Sequence, residues 1–186
     1  MLIGVADGSL LPFVPLFLLQ RGMSAPAIGA ILAAAALASL TAGLSWAYLA
    51  DRRLTAERII VVASIAAALA ALLLTLTNGA VLLTAVIVVL WLARAPFTLL
   101  DPIALRRLRK GRRTDYARIR LRMSAGWAAS VTATGGVYQL MSLRLMPFVY
   151  APLTAIFGLW VWRSLAPAPK SEAPASQPTA PQPGHV

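Results

Sequence analysis

Three charged side chains interrupt otherwise apolar stretches of the sequence: Asp7, Arg94 and Asp101. A charge at the centre of a membrane helix costs about 2.5–3.5 kcal/mol on the insertion scale, so a plain anchor does not keep one without compensation. Arg94 and Asp101 are two helical turns apart and share a face, although Pro96 and Pro102 distort the geometry. That spacing allows both to line one polar cavity. A guanidinium there offers a planar fork of donors, and a buried carboxyl can exchange a proton. The competing structural roles are an interhelical ion pair for Arg94 and snorkelling of Asp101 to the interface near its helix end. Asp7 lies close to the start of the sequence, where a carboxylate rests among headgroups; its functional alternative is again proton exchange.

Other chemistry finds no foothold. There is no cysteine, and the one histidine is His185, so neither disulfides nor a zinc or cysteine-based metal site is expected. No nucleophile paired with a base, no phosphate-cradling loop and no metal-ligand cluster occurs, which argues against an enzyme and against a cofactor. The 186 residues are 59% hydrophobic and 12% charged, against about 45–50% and about 25% in an average soluble domain. The net charge of +11 would fit nucleic acid only on a soluble basic face. The apolar fraction denies that face, and the basic run from Arg106 to Arg113 is followed by one aromatic, Tyr116, where stacking platforms need several. No nucleic-acid partner is expected.

The elements that must position these charges are membrane spans. A bilayer core about 30 Å thick needs ~20 apolar helical residues, and six stretches meet that need: 1–19, 26–50, 59–77, 80 to about 105, about 121 to 143, and 145 to about 162. Asn78-Gly79 marks a turn between the third and fourth. A cleaved leader would carry a basic segment ahead of its apolar run, whereas the first stretch begins at Met1 and contains Asp7; it is read as a span with a shortened start. From residue 166 onward the composition turns to Pro, Ala, Ser and Gln, which predicts a disordered linker over 166–186 after a six-helix bundle over 1–165.

An even number of spans puts both termini on one side. Of the 17 Lys and Arg, only Arg21 and Arg144 fall on the opposite side, and Arg94 lies within a span. The inside-positive rule then places both termini in the cytoplasm of a cell-membrane protein, with the Arg106–Arg113 run as an orientation signal and anionic-lipid contact. Helix packing in lipid relies on small residues, supplied by Gly29 and Ala33, by Ala63, Ala67 and Ala71, and by Gly126, Ser130 and Thr134. Proline breaks recur in the first span (Pro12-Phe13, Pro15) and the fourth (Pro96-Phe97, Pro102), the pattern of two inverted three-helix repeats around a transport site.

The segment Ala47-Tyr48-Leu49-Ala50-Asp51-Arg52-Arg53 resembles the loop signature of the major facilitator superfamily, with Ala47 at the position of its first glycine. The run from Tyr116 to Trp127, with Arg118, Arg120 and Gly126, resembles the entry to helix five in the branch of lactose permease, phenylpropionate permease and the nucleoside:proton symporters. Pro12-Phe13-Val14-Pro15-Leu16-Phe17-Leu18, with Gly22-Met23-Ser24 and Ile28-Gly29, is similar to the same branch. The resemblance covers roughly residues 1–165. It implies that Arg120 contacts substrate and that Trp127 offers the flat face on which a ring packs. It also implies that Asp51 and Arg52 form the conformational-switch loop between two halves. Ala117 and Met123 stand where that branch has glycines. The substrate-binding glutamate of helix four in lactose permease has no match, the nearest acid being Asp101, so lactose itself is not implied.

The expectation is an all-α membrane protein of six transmembrane helices, half of a major facilitator fold. It moves a small polar organic solute by alternating access, proton-coupled, with Arg120, Trp127, Asp101 and Arg94 toward the solute and Asp101 and Asp7 toward the proton. Family members rock two six-helix halves against each other, so a second half or a second copy is the expected partner, beside lipid, the solute and the coupling proton. The alternative is a non-transporting membrane protein that acts in assembly through its helix faces.

Overall fold

The computed structural model describes residues 1–52, 54–101, 103 and 113–164. Within them the chain is entirely helical and forms six helices: α1 (Leu2–Gln20), α2 (Ala25–Arg52), α3 (Ala56–Leu76), α4 (Ala80–Leu99), α5 (Arg113–Leu140) and α6 (Leu143–Ser164). All but α5 are long and apolar enough to cross a membrane. The fifth helix is long, at 28 residues, but Ser124, Ser130, Thr132, Thr134 and the pair Gly135-Gly136 dilute its apolar character. It begins at Arg113 and not at Leu121, because nothing in the arginine-rich approach breaks a helix and arginine is a good helix former. The expected linker over 166–186, Pro102 and most of the basic run lie outside the described residues.

The proline positions act as the sequence predicts. Proline lacks the N–H for an intrahelical bond and crowds the carbonyl one turn back, and α1 tightens into a 3₁₀ turn over Leu11–Phe13. Its counterpart α4 does so over Ala95–Leu99, at the second Pro-Phe pair. At one end of the bundle α1–α2, α3–α4 and α5–α6 are joined by short turns. Gly22 and Gly79 take φ of 81° and 91° there, a region that costs other L-residues energy.

The packing has an internal symmetry. Helix α1 lies against α5 and α6, α4 lies against α2 and α3, and α3 pairs closely with α6. Exchanging α1 with α4, α2 with α5 and α3 with α6 maps these contacts onto one another, as two three-helix repeats require. Small residues set the distances. Ala63, Ala67 and Ala71 are buried, and a Cβ placed on Gly158 of α6 would lie 2.7 Å from Cβ of Ser64 in α3. Between α1 and α5 the approach is equally tight: a Cβ on Gly4 would collide with the Met123 carbonyl, and one on Gly8 would sit 2.5 Å from that of Trp127. Two interhelical hydrogen bonds close the seam, from Ser130 Oγ to the Val5 carbonyl at 2.6 Å and from the Tyr138 hydroxyl to the Ser9 carbonyl at 2.9 Å. By contrast, Gly29 of α2 faces open space and Ala33 is exposed, so that stripe packs against nothing among the described residues.

Arg21, read from the sequence only as a loop charge, has a structural task. Its guanidinium donates to the carbonyls of Thr77 at 2.9 Å and Leu74 at 3.2 Å, and lies 5.0 Å from the centroid of the Phe17 ring. It thereby satisfies otherwise orphaned acceptors at the C-terminus of α3, where the helix dipole also favours a cation. Arg21→Ala is expected to lower stability by about 1–2 kcal/mol, since hydrogen bonds from a charged donor are strong but these are partly exposed. Thermal unfolding in detergent reads the loss, and an unchanged midpoint would contradict the capping role.

Candidate functional site

Asp7 and Arg94 are 87 positions apart in sequence, yet α1 and α4 bring them into contact. Arg94 Nη2 donates to Asp7 Oδ1 at 2.7 Å, with the side chains 12% and 21% exposed respectively. Neither helix stabilises its charge alone; each supplies the other's counter-ion, which is the arrangement that makes a buried charge tolerable. The guanidinium carbon also lies 5.8 Å from the centroid of the Trp91 ring, a cation–π contact one turn back on α4. Compensation is incomplete. Arg94 Nε is buried without a hydrogen-bond partner, as are the hydroxyls of Tyr150 and Thr154 on α6, which neighbour one another and the ion pair without reaching hydrogen-bond geometry.

The ion pair opens into a cavity of about 320 Å³. Its wall includes Asp7 from α1, Ser39 from α2, Trp91, Arg94 and Thr98 from α4, Asp101 just beyond α4, and Met123 from α5. Arg94 and Asp101 therefore line the same space. Asp101 is exposed, whereas the Arg94 side chain is mostly shielded. Asp7 is not a bare headgroup residue, because its carboxylate is committed to Arg94. The sequence holds no local signal for that pairing, only the cost that each charge would carry if left alone.

The residues singled out by resemblance lie elsewhere. Arg120 and Trp127 share one face of α5, both exposed, with Trp127 at 42%. Neither lines the Asp7–Arg94 cavity, although Met123, between them in sequence, does. A second, larger cavity of about 690 Å³ lies between α1 and α5, lined by Phe13, Gln20, Thr132, Gly136, Tyr138 and Gln139 among others. Asp51 falls on the last turn of α2, and Arg52 beside it is exposed with its guanidinium 5.0 Å from the centroid of the Tyr48 ring. Glu57, which the sequence did not single out, is buried in the first turn of α3, where the helix dipole favours an acid. Among the described residues no group of three or more His, Cys, Asp or Glu gathers to hold a metal ion.

The arrangement is that of a polar cavity within a bundle of membrane-spanning helices, with the Asp7–Arg94 ion pair at one wall and the exposed Asp101 at another. The model of one protein family, described as MFS_1 like, matches residues 5–180. No curated protein and no solved structure matches the chain.

Proposed function

The chain belongs to the MFS_1 like family, and on that premise we propose that it is one half of a secondary active transporter for a small polar organic solute, driven by protons. Membership makes it a multi-pass membrane protein of a transporter family; the half arrangement, the coupling and the solute class are our reading. The observation that carries the reading is the three-charge cavity. Asp7, Arg94 and Asp101 converge from helices α1 and α4, the two that proline breaks, and face a space large enough for a small solute. Retaining three charges inside a bilayer costs more than an anchor or a packing subunit has reason to bear.

Other features support the finer assignments. Helix α5 carries Arg120, Ser124, Trp127 and Thr132 on exposed positions. A helix this polar is poorly suited to lipid on all sides and calls for a second six-helix half, or a second copy, to cover it. We place Arg120 and Trp127 on the solute, in the manner of the lactose, phenylpropionate and nucleoside permeases. Asp101, exposed in the cavity and with no ion pair among the described residues, is the better placed of the two carboxyls to carry the proton. Asp51 and Arg52 would work at the interface of the halves, with both termini in the cytoplasm and residues 166–186 as the linker toward the partner.

The test is uptake into vesicles that hold this chain with a matching second half, using labelled galactoside, phenylpropionate and nucleoside. An inward proton gradient should drive accumulation of one of them and a protonophore should abolish it. Arg120→Ala should reduce that uptake at least tenfold with membrane insertion intact. Undiminished uptake in the variant removes Arg120 from the solute site, and no gradient-dependent accumulation of any probe contradicts the assignment to this branch.

A further inference from the structure

The inside-positive arrangement leaves two arginines at the end of the bundle opposite the termini, and the fold brings both to one place. Arg21, from the end of α1, and Arg144, from the first turn of α6, line a cavity of about 390 Å³ together with Phe17, Thr75, Asn78 and Phe148. Among the described residues no acid lines this cavity. Arg21 spends two donors on the carbonyls of α3 and retains others. The exposed Arg144 guanidinium has no hydrogen-bond or ion-pair partner among the described residues. The N-terminal turn of α6 adds the positive end of a helix dipole.

We propose that this cavity binds the phosphate of an anionic phospholipid headgroup at the membrane surface opposite the termini. Guanidinium groups match phosphate oxygens with paired donors, and the Asn78 amide adds another donor at the same wall. The lipid source is favoured by position and by the walls. The cavity lies at the helix ends, where headgroups sit, and Phe17 and Phe148 give it an apolar side, with Phe148 56% exposed on α6 and open to an acyl chain. This site is separate from the charged cavity of Asp7 and Arg94 and does not depend on the solute or its coupling.

The experiment is thermal unfolding of the full chain in nanodiscs of phosphatidylcholine, alone or mixed with phosphatidylglycerol. Phosphatidylglycerol should raise the midpoint by about 3 °C, the size of shift that a moderately populated site gives a chain of this length. Arg144→Gln, which removes a guanidinium with no partner among the described residues, should abolish most of that rise. Inorganic phosphate added to the phosphatidylcholine nanodiscs should leave the midpoint unchanged. No rise with phosphatidylglycerol overturns the proposal. An equal rise in Arg144→Gln also overturns it, because the lipid then acts at the basic opposite end, and a rise with inorganic phosphate alone overturns the lipid assignment in favour of a free anion.

Discussion

Arg94→Gln is expected to destabilise the bundle more than the double replacement of Arg94 and Asp7 by neutral Gln and Asn. The 2.7 Å contact joins two side chains that are mostly shielded, and removing one partner leaves the other as an uncompensated charge among apolar helices. Breaking such a pair costs about 3–5 kcal/mol, whereas replacing both members by neutral groups is often close to neutral. The unpartnered Tyr150 and Thr154 hydroxyls nearby are neutral, so neither replaces the counter-charge that a single substitution removes. A double-mutant cycle of Asp7→Asn and Arg94→Gln, followed by thermal unfolding and by yield of inserted protein, should return a coupling of about 2 kcal/mol or more. Additive effects of the two single changes would mean that the pair does not hold α1 to α4.

Gly8→Val should separate α1 from α5. The new Cβ would stand 2.5 Å from the Trp127 carbonyl oxygen and 3.0 Å from the Ser130 Cβ. The first obstacle is backbone, so no rotamer change relieves it and the helices must move apart. Overpacking of this kind costs about 1–3 kcal/mol, and the 2.6 Å bond from Ser130 to Val5, lost with the separation, adds about 1 kcal/mol. Gly136→Val on the same seam of elements is the control, since a Cβ there meets nothing within 4 Å. Unfolding in detergent should distinguish them by several degrees. Equal midpoints would contradict close approach of α1 and α5.

Much of this fold was legible because lipid imposes simple rules. The Pro-Phe breaks, the Asn78-Gly79 turn and the Ala63, Ala67 and Ala71 stripe follow from local spacing, and the helices keep them; the fifth span, expected from about 121 to 143, is instead a helix over Arg113–Leu140 too polar to match the other five. What stayed hidden depends on which helix meets which. Gly4 and Gly8 look like weak points of a helix until α5 is laid against them. Gly29 and Ala33 have the same small-residue spacing, yet face open space, because spacing marks a surface that can be approached closely and not the partner that approaches it. Arg21 read as a loop charge, since the α3 carbonyls that it caps are far away in sequence.

The candidate site divides in the same way. That Arg94 and Asp101 would share a face followed from helical periodicity, and both line one cavity. Asp7 was expected among headgroups because its position near the start of the sequence carries no hint of α4. Burial cost predicted that each charge needs a partner without naming it. Arg120 and Trp127 came from resemblance; they share a face of α5 as their spacing requires, but neither lines the cavity of the ion pair. The role proposed for them rests on a second half that would cover this helix, not on the contacts made within the described residues.

If the Asp7–Arg94–Asp101 cavity is an aqueous space inside the bilayer, a thiol on its wall must react with water-soluble reagents. The chain has no cysteine of its own, so Ser39→Cys, on the cavity wall midway along α2, and Leu69→Cys, on the exposed outer face of α3, each introduce one thiol. In sealed inverted vesicles a membrane-impermeant maleimide should label the thiol at position 39 readily and leave that at position 69 unreacted. A position-39 thiol as silent as the one at 69 would contradict a water-filled cavity and remove the basis for transport through it.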